Sequence, residues 1–189
     1  AIQLALNCGS MEENLLLLDD YQASWPITGD HIITICWTSG TTGTPKGVPR
    51  SHNMWVTVCR SCIEAGEIQA GDRLLNPFPM INMAALATFL YSSALLGCPV
   101  ILHHPLDPAV FLRQIEDEKI NFTIAPPALL NQLAKSEEMW NQFDFSALRS
   151  IGSGSAPFAA WMIDVFDNKY NKRVINYYGT NEGISLVSN

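Results

Sequence analysis

Residues Ile35 to Val48, read I-C-W-T-S-G-T-T-G-T-P-K-G-V, hold the densest set of groups able to do chemistry. Gly40, Gly43 and Gly47 permit positive φ and close approach of a ligand to the backbone. The hydroxyls of Thr38, Ser39, Thr41, Thr42 and Thr44 can donate to oxyanions, and Lys46 adds a full positive charge. Successive backbone N–H groups in such a loop can form an anion-binding concavity. The ligand that suits this combination is a phosphate chain. A plain surface loop has the same composition, so both readings stand on these residues alone.

The segment follows an apolar, β-branched run, Ile32 to Ile35, which predicts a strand over Ile32 to Thr38 running into the loop. It does not fit the P-loop pattern, because Pro45 precedes Lys46 and Gly47 follows it. A P-loop phosphotransferase is therefore disfavoured.

Two more polar turns follow strand-like runs. Gly152-Ser153-Gly154-Ser155-Ala156-Pro157 reads as a glycine-rich loop entering a helix with Trp161, Met162, Val165 and Phe166 on one face. The strand Val174 to Tyr177 ends in Tyr178-Gly179-Thr180-Asn181-Glu182-Gly183. Between these turns and the first, helix and strand signals alternate. A helix is predicted from Ser51, its cap, to Gly66, then a short strand at Arg73 to Asn76 and an apolar helix between Asn82 and Leu96. A strand at Pro99 to Leu102 follows, with Asp107 and Pro108 opening a helix that reaches Lys119. Asn121 to Ala125 is the next strand, Pro127 to Ala134 the next helix, and Lys135 to Phe145 a polar connector dotted with aromatics. The alternation predicts an α/β fold, with a largely parallel sheet flanked by helices. In such sheets ligands bind outside the carboxyl ends of the strands, so the three turns are expected to wall one site.

Composition limits the alternatives. A chain of 189 residues, 48% hydrophobic and 15% charged, is that of a globular protein with one sizeable core. A net charge of −7 argues against a nucleic-acid partner. Five cysteines, an odd number, and Glu12 and Glu13 in a start without a basic region point to a reduced, cytoplasmic protein. Cys59 and Cys62 form a C-x-x-C, but with Met54, Trp55, Val58 and Ile63 they fall on one helical stripe, which predicts core packing over metal binding. The uncharged stretch Leu74 to Leu106 is broken by Pro77, Pro79, Gly97 and Pro99, so no transmembrane segment is expected. The sequon at Asn121 is expected to lie in a buried strand.

Together the three turns resemble those of the adenylate-forming, or AMP-binding, superfamily, which includes acyl-CoA synthetases, luciferases and peptide-synthetase adenylation domains. The resemblance rests on Thr38 to Gly47, on Ser153-Gly154-Ser155-Ala156-Pro157, and on Tyr178-Gly179-Thr180-Asn181-Glu182, in family order. It covers nearly the whole chain and implies that residues 1–189 correspond to the central part of the large domain. The early N-terminal portion and the small C-terminal domain, with its second lysine, have no counterpart, so residues 1–189 alone are expected to bind ATP weakly and not to turn over.

The resemblance implies ATP-dependent activation of a carboxylic acid to an acyl-adenylate, then transfer to a thiol, with coenzyme A as the expected acceptor. It assigns Thr38, Ser39, Gly40, Thr41, Thr42, Gly43 and Lys46 to the phosphates. Gly154, Ser155, Ala156, Tyr178, Gly179 and Thr180 fall to the adenine side, Glu182 to Mg²⁺, and Asn82 and Ser153 to the acid. Lys46, Thr42 and Asn181 are the implied catalytic residues. Two positions depart from the family pattern: Asn181 replaces a threonine beside the metal-binding glutamate, and Pro79-Met80-Ile81-Asn82 replaces Pro-Leu-Phe-His. Asn82 does not titrate near neutral pH, so a proton-linked gate there is lost. No acidic residue occurs from Pro77 through Leu102 to pair the ammonium of an amino acid, which favours an acyl or aryl acid. The competing readings are a non-catalytic nucleotide- or acyl-binding module and an amino-acid adenylation domain.

Overall fold

The computed structural model describes residues 26–38, 43–154, 156, 159–181 and 185–188. Two sheets organise it. The first is an antiparallel hairpin of β1 (Ile32–Thr38) and β2 (Lys46–Ser51). The second has six strands: β3 (Leu74–Asn76), β4 (Val100–Leu102), β5 (Phe122–Ile124), β6 (Ser150–Gly154), β7 (Arg173–Gly179) and β8 (Ser185–Ser188). Their order is β4-β3-β5-β6-β7-β8, parallel throughout except for β8, which pairs antiparallel to β7. This is the predicted α/β architecture with its largely parallel sheet.

The inner strands β3, β5 and β6 are buried on both faces, as parallel sheets require. Leu75, Ile151 and Val174 point into one core, and Leu74, Phe122, Ile124 and Ile175 into the other. The first core is closed by α3 (Pro108–Asp117), α4 (Pro127–Lys135), α5 (Glu137–Trp140) and α6 (Ala160–Asn168). On the other face lie α1 (His52–Gly66), a π-helical turn over Ala85–Leu90 and α2 (Tyr91–Leu96). Buried hydroxyls lock strand to strand and sheet to helix. Thr123 Oγ1 donates to the Leu75 carbonyl at 2.7 Å, and Ser150 Oγ to the Gly66 carbonyl at 2.8 Å.

The helix ends follow local chemistry. Ser51 Oγ accepts from Met54 N at 3.3 Å, and Asp107 Oδ1 accepts from Ala109 N and Val110 N, with Pro108 at the first helical position. α1 ends at Gly66, as predicted, and its cap is Glu67, left-handed at φ 52°, whose carboxylate pairs with Arg173. Along α1, Trp55, Cys59, Cys62 and Gly66 are buried at helical spacing, so the C-x-x-C is core, as predicted, although Met54 faces solvent.

Several elements differ from the sequence-based expectation. Lys46–Ser51, read as part of the loop, is the second strand of a hairpin, so β1 stands outside the parallel sheet. Gly152 to Gly154, read as the start of a loop, belong to the buried inner strand Ser150–Gly154. Tyr178 and Gly179 extend β7 and lead to β8. The connector from Lys135 to Phe145 holds a short helix and sends Trp140 and Phe145 into the core. Trp161 is exposed, apart from the buried Met162 and Phe166. The sequon residue Asn121 is half-buried: its Oδ1 accepts from Arg73 N at 2.8 Å and its Nδ2 donates to the Ala147 carbonyl at 3.2 Å. Of the predicted helix between Asn82 and Leu96, the first turns are π-type. Among the described residues no helix is long and apolar enough to cross a membrane.

Trp140 is the centre of an aromatic cluster, stacked on Tyr170 at 4.1 Å between centroids and packed on Phe145 at 4.2 Å and Phe166 at 5.7 Å. Trp140→Ala is expected to cost about 3–5 kcal/mol through lost burial and the cavity left behind. Urea unfolding followed by circular dichroism measures this; a loss below about 1 kcal/mol, within the range of neutral surface substitutions, would show that the cluster does not anchor the helical layer.

Candidate active site

A cleft of about 1430 Å³ opens at the carboxyl ends of β3, β5, β6 and β7, with the β1–β2 hairpin along one side. Its position follows from the parallel sheet, whose strands deliver their loops to one edge. Ser153, Gly154, Ala156, Tyr178, Gly179, Thr180, Asn181 and Asn82 all line it. Two of the three polar turns thus meet around one space. Thr38, Gly43 and Lys46 stand at the turn end of the hairpin, exposed or half-exposed, and are not among the lining residues. Gly43 has the positive φ expected of it, at 83°, whereas Gly47 sits in β2 without one, its bare α-carbon covered by Ile35 and Trp37. Ser39, Gly40, Thr41, Thr42, Ser155 and Glu182 lie outside the described residues.

The wall between β6 and β7 is shaped by missing side chains. A Cβ on Gly154 would lie 2.6 Å from the Tyr177 carbonyl oxygen, and one on Gly152 2.7 Å from the Tyr177 ring. Both contacts are closer than real Cβ atoms tolerate. Strand alternation then turns Tyr177 inward, where its hydroxyl donates to the Cys62 carbonyl at 3.4 Å, and turns Tyr178 out to the cleft mouth with 59% of its surface exposed. Tyr178 therefore presents a free aromatic face beside the bare backbone of Gly154.

On the opposite side the π-helical turn contributes Leu86, Ala87 and Thr88, and the loop before it Phe78, Met80, Ile81 and Met83. Asn76 fixes that loop: its Oδ1 accepts from Phe78 N at 3.0 Å and its Nδ2 donates to the Phe78 carbonyl at 3.0 Å. Asn82 spends its Oδ1 on Ala84 N at 2.8 Å, and Ser153 donates its hydroxyl to the Ala125 carbonyl at 3.0 Å. Both line the cleft while holding the backbone. No Asp or Glu is found among the described lining residues, and the described residues contain no group of three His, Cys, Asp or Glu able to hold a metal ion.

Arg50 is the site residue that sequence reading missed. It is 1% exposed, and its Nη2 donates to the carbonyls of Thr180 at 3.2 Å and Asn181 at 2.8 Å. Asn181 Nδ2 reaches back to the Trp37 carbonyl at 3.2 Å. The usable signal was alternation within a recognised β2: in the hairpin register Thr34, Cys36 and Thr38 share a face with Arg50, Val48 and Lys46.

Burial raises the Cys62 thiol to about 11 and lifts the Tyr177 phenol further above its ordinary value. Cys62 lines the cleft yet stays protonated near neutrality, which rules it out as a nucleophile there. Because the folded thiol holds its proton more tightly than the unfolded one, its contribution to stability is complete below about pH 9. It falls as the pH rises from 9 towards 11. In the folded protein Cys62 should resist iodoacetamide at pH 8 over hours, as read by peptide mass spectrometry; rapid labelling of that peptide would contradict its burial. Gly154→Ala should lower the melting temperature by several degrees, corresponding to about 1–3 kcal/mol of overpacking, and weaken ligand binding in the cleft. An unchanged melting temperature in a scanning calorimeter would contradict the close strand contact.

Comparison with known proteins agrees with this geometry. The family model described as AMP-binding enzyme matches residues 6–189. A feruloyl-CoA synthase of Amycolatopsis is 30% identical over 142 residues, covering 75% of this chain and 29% of that protein. The long-chain-fatty-acid–CoA ligase FadD13 of Mycobacterium tuberculosis is 32% identical over 154 residues, 82% of this chain and 30% of its own length. The structure of a Mycobacterium tuberculosis fatty acyl CoA synthetase superposes with a TM-score of 0.77 at 28% identity, covering 95% of this chain and 35% of that one. This chain therefore spans about a third of the length of these relatives. With the family model matched along nearly all of it, the chain belongs to the AMP-binding enzyme family.

Proposed function

We propose that the cleft is the nucleotide and acid site of an ATP-dependent acid–thiol ligase, to which this chain contributes the central part of the large domain. The observation that carries the proposal is the cleft itself. Gly154 and Tyr178 offer a flat, uncrowded niche suited to adenine, Thr180 and Asn181 lie beside it, and an apolar extension runs towards Met80, Met83 and Leu86. The hairpin turn with Thr38, Ser39, Gly40, Thr41, Thr42, Gly43 and Lys46 is assigned to the β- and γ-phosphates, with Ser155, Ala156 and Gly179 on the adenine side.

In the first step a carboxylate oxygen bonds to the α-phosphorus and the bond to the pyrophosphate oxygen breaks. In the second, a thiol sulfur bonds to the acyl carbon, AMP leaves with the bonding pair, and the thiol proton goes to solvent. Such chemistry asks the protein mainly for positioning and charge neutralisation. Lys46 supplies one cation, and the Asn181 amide offers a neutral donor where the family has a hydroxyl. Mg²⁺, when bound, neutralises phosphate charge. Glu182 is the residue assigned to it, and the described part of the cleft does not build a metal site by itself. Coenzyme A is the proposed acceptor.

The substrate class is a mainly apolar acid. A cleft whose described lining has no carboxylate gives the ammonium of an amino acid no partner. A second reading, a nucleotide- or acyl-binding module without turnover, draws on the Asn181 amide being already engaged by Trp37. Pyrophosphate release by the full-length protein, measured across aryl, fatty and amino acids, separates these possibilities. The expected result is release with aryl or fatty acids, reduced about a hundredfold or more by Lys46→Ala. Stimulation by amino acids alone would overturn the substrate class, and ATP binding without release under any acid would favour the second reading.

A further inference from the structure

We propose that Arg50 is a positioning residue that holds the hairpin and the turn after β7 as one unit, so that the two nucleotide-facing walls keep a fixed separation. This rests on the cleft being the ATP site. The guanidinium is almost wholly buried, and none of the ion pairs among the described residues includes it. It lies with Cζ 5.0 Å above the Trp55 ring, and Nη2 spans two consecutive carbonyls, Thr180 and Asn181. Nε has no acceptor among the described residues. A buried cation that spends a donor on two loop carbonyls fixes their separation from its own strand more tightly than two neutral contacts would.

Three further contacts make this a clamp and not a local cap. Trp55, over which the guanidinium stacks, donates Nε1–H to Thr34 Oγ1 at 3.0 Å, which ties α1 to β1. Thr34 is the cross-strand partner of Arg50 in the hairpin register. Asn181, whose carbonyl Arg50 holds, returns its side-chain amide to the Trp37 carbonyl on β1. The loop is thus held by both hairpin strands, from β2 through a charge and from β1 through an amide. At the far end of the same two strands sit Thr38 and Lys46, facing one another in register. Displacing the Thr180–Asn181 backbone would therefore change the distance between the adenine-side turn and the phosphate-side turn, leaving the apolar extension at Met80 and Leu86 untouched.

The test uses the full-length protein with Arg50→Met, which keeps length and stacking but removes the donors, and Arg50→Lys, which keeps charge but not the fork. Two readouts are taken: the KM values for ATP and for the acid in pyrophosphate release, and hydrogen–deuterium exchange of the peptides covering residues 176–181. Arg50→Met should raise the KM for ATP about tenfold, leave the KM for the acid within about twofold, and speed exchange in the 176–181 peptide. Arg50→Lys should fall between Arg50→Met and the parent on each readout. A purely structural role would instead lower the active fraction and leave both KM values unchanged, and that result in a folded variant would overturn the proposal. If Arg50→Met does not fold, Arg50→Lys decides: an unchanged KM for ATP and unchanged exchange would overturn it. If the parent protein shows no use of ATP, the ligase reading fails separately, and exchange at 176–181 that is the same in both variants as in the parent would still refute the clamp.

Discussion

The structure hangs on the contact between β6 and β7. β6 carries no side chain at Gly152 and Gly154, and this lets the Tyr177 ring and carbonyl of β7 settle against its bare backbone. That contact fixes which tyrosine points inward and which outward, and so places an aromatic face at the mouth of the cleft. It also sets the exit direction of β7, from which Thr180 and Asn181 meet the hairpin. Glycine within a strand costs conformational entropy and packs nothing, so its presence in a central strand marks a backbone approach that a side chain would prevent.

The same fact explains what was legible from sequence. Periodic helices with chemical caps, such as α1 after Ser51 and α3 after Asp107, announced their starts because capping is local. The alternation of helix and strand gave the sheet's class and direction, and of the polar turns read after strands, Gly154, Ala156 and Tyr178 to Asn181 line the cleft. β6 itself was not legible, because Ser-Ile-Gly-Ser-Gly has the composition of a loop and becomes a strand only between β5 and β7. β2 was hidden for a related reason. Lys-Gly-Val-Pro-Arg-Ser has poor strand propensity, and pairing with β1 overrides it. With β2 went Arg50, whose importance lies in carbonyls 130 and 131 residues away in the chain. No local pattern encodes such a partner.

The electrostatic character of the cleft is equally a product of assembly. A chain with a net charge of −7 presents, among the described lining residues, no carboxylate and one buried guanidinium. Acidic residues are kept elsewhere, for example the exposed Glu67 with Arg173 and the buried Asp72 with Arg149, neither of which lines the cleft. A polyanionic ligand would meet backbone donors, hydroxyls and amides there instead of repulsion, while the end between the π-helical turn and the loop at Met80 is apolar. The described lining is therefore divided into a polar part and an apolar part, and the proposed function gives the nucleotide to the first and the acid to the second.

That division can be tested directly by a crystal structure of the full-length protein with a hydrolysis-resistant acyl-adenylate mimic, such as an acyl sulfamoyl adenosine. The account predicts adenine between Tyr178 and the backbone of Gly154, the sulfamate beside Thr180 and Asn181, and the acyl chain running towards Met80 and Leu86. Adenine lodged in the apolar end, or the mimic bound away from the carboxyl ends of β6 and β7, would contradict it.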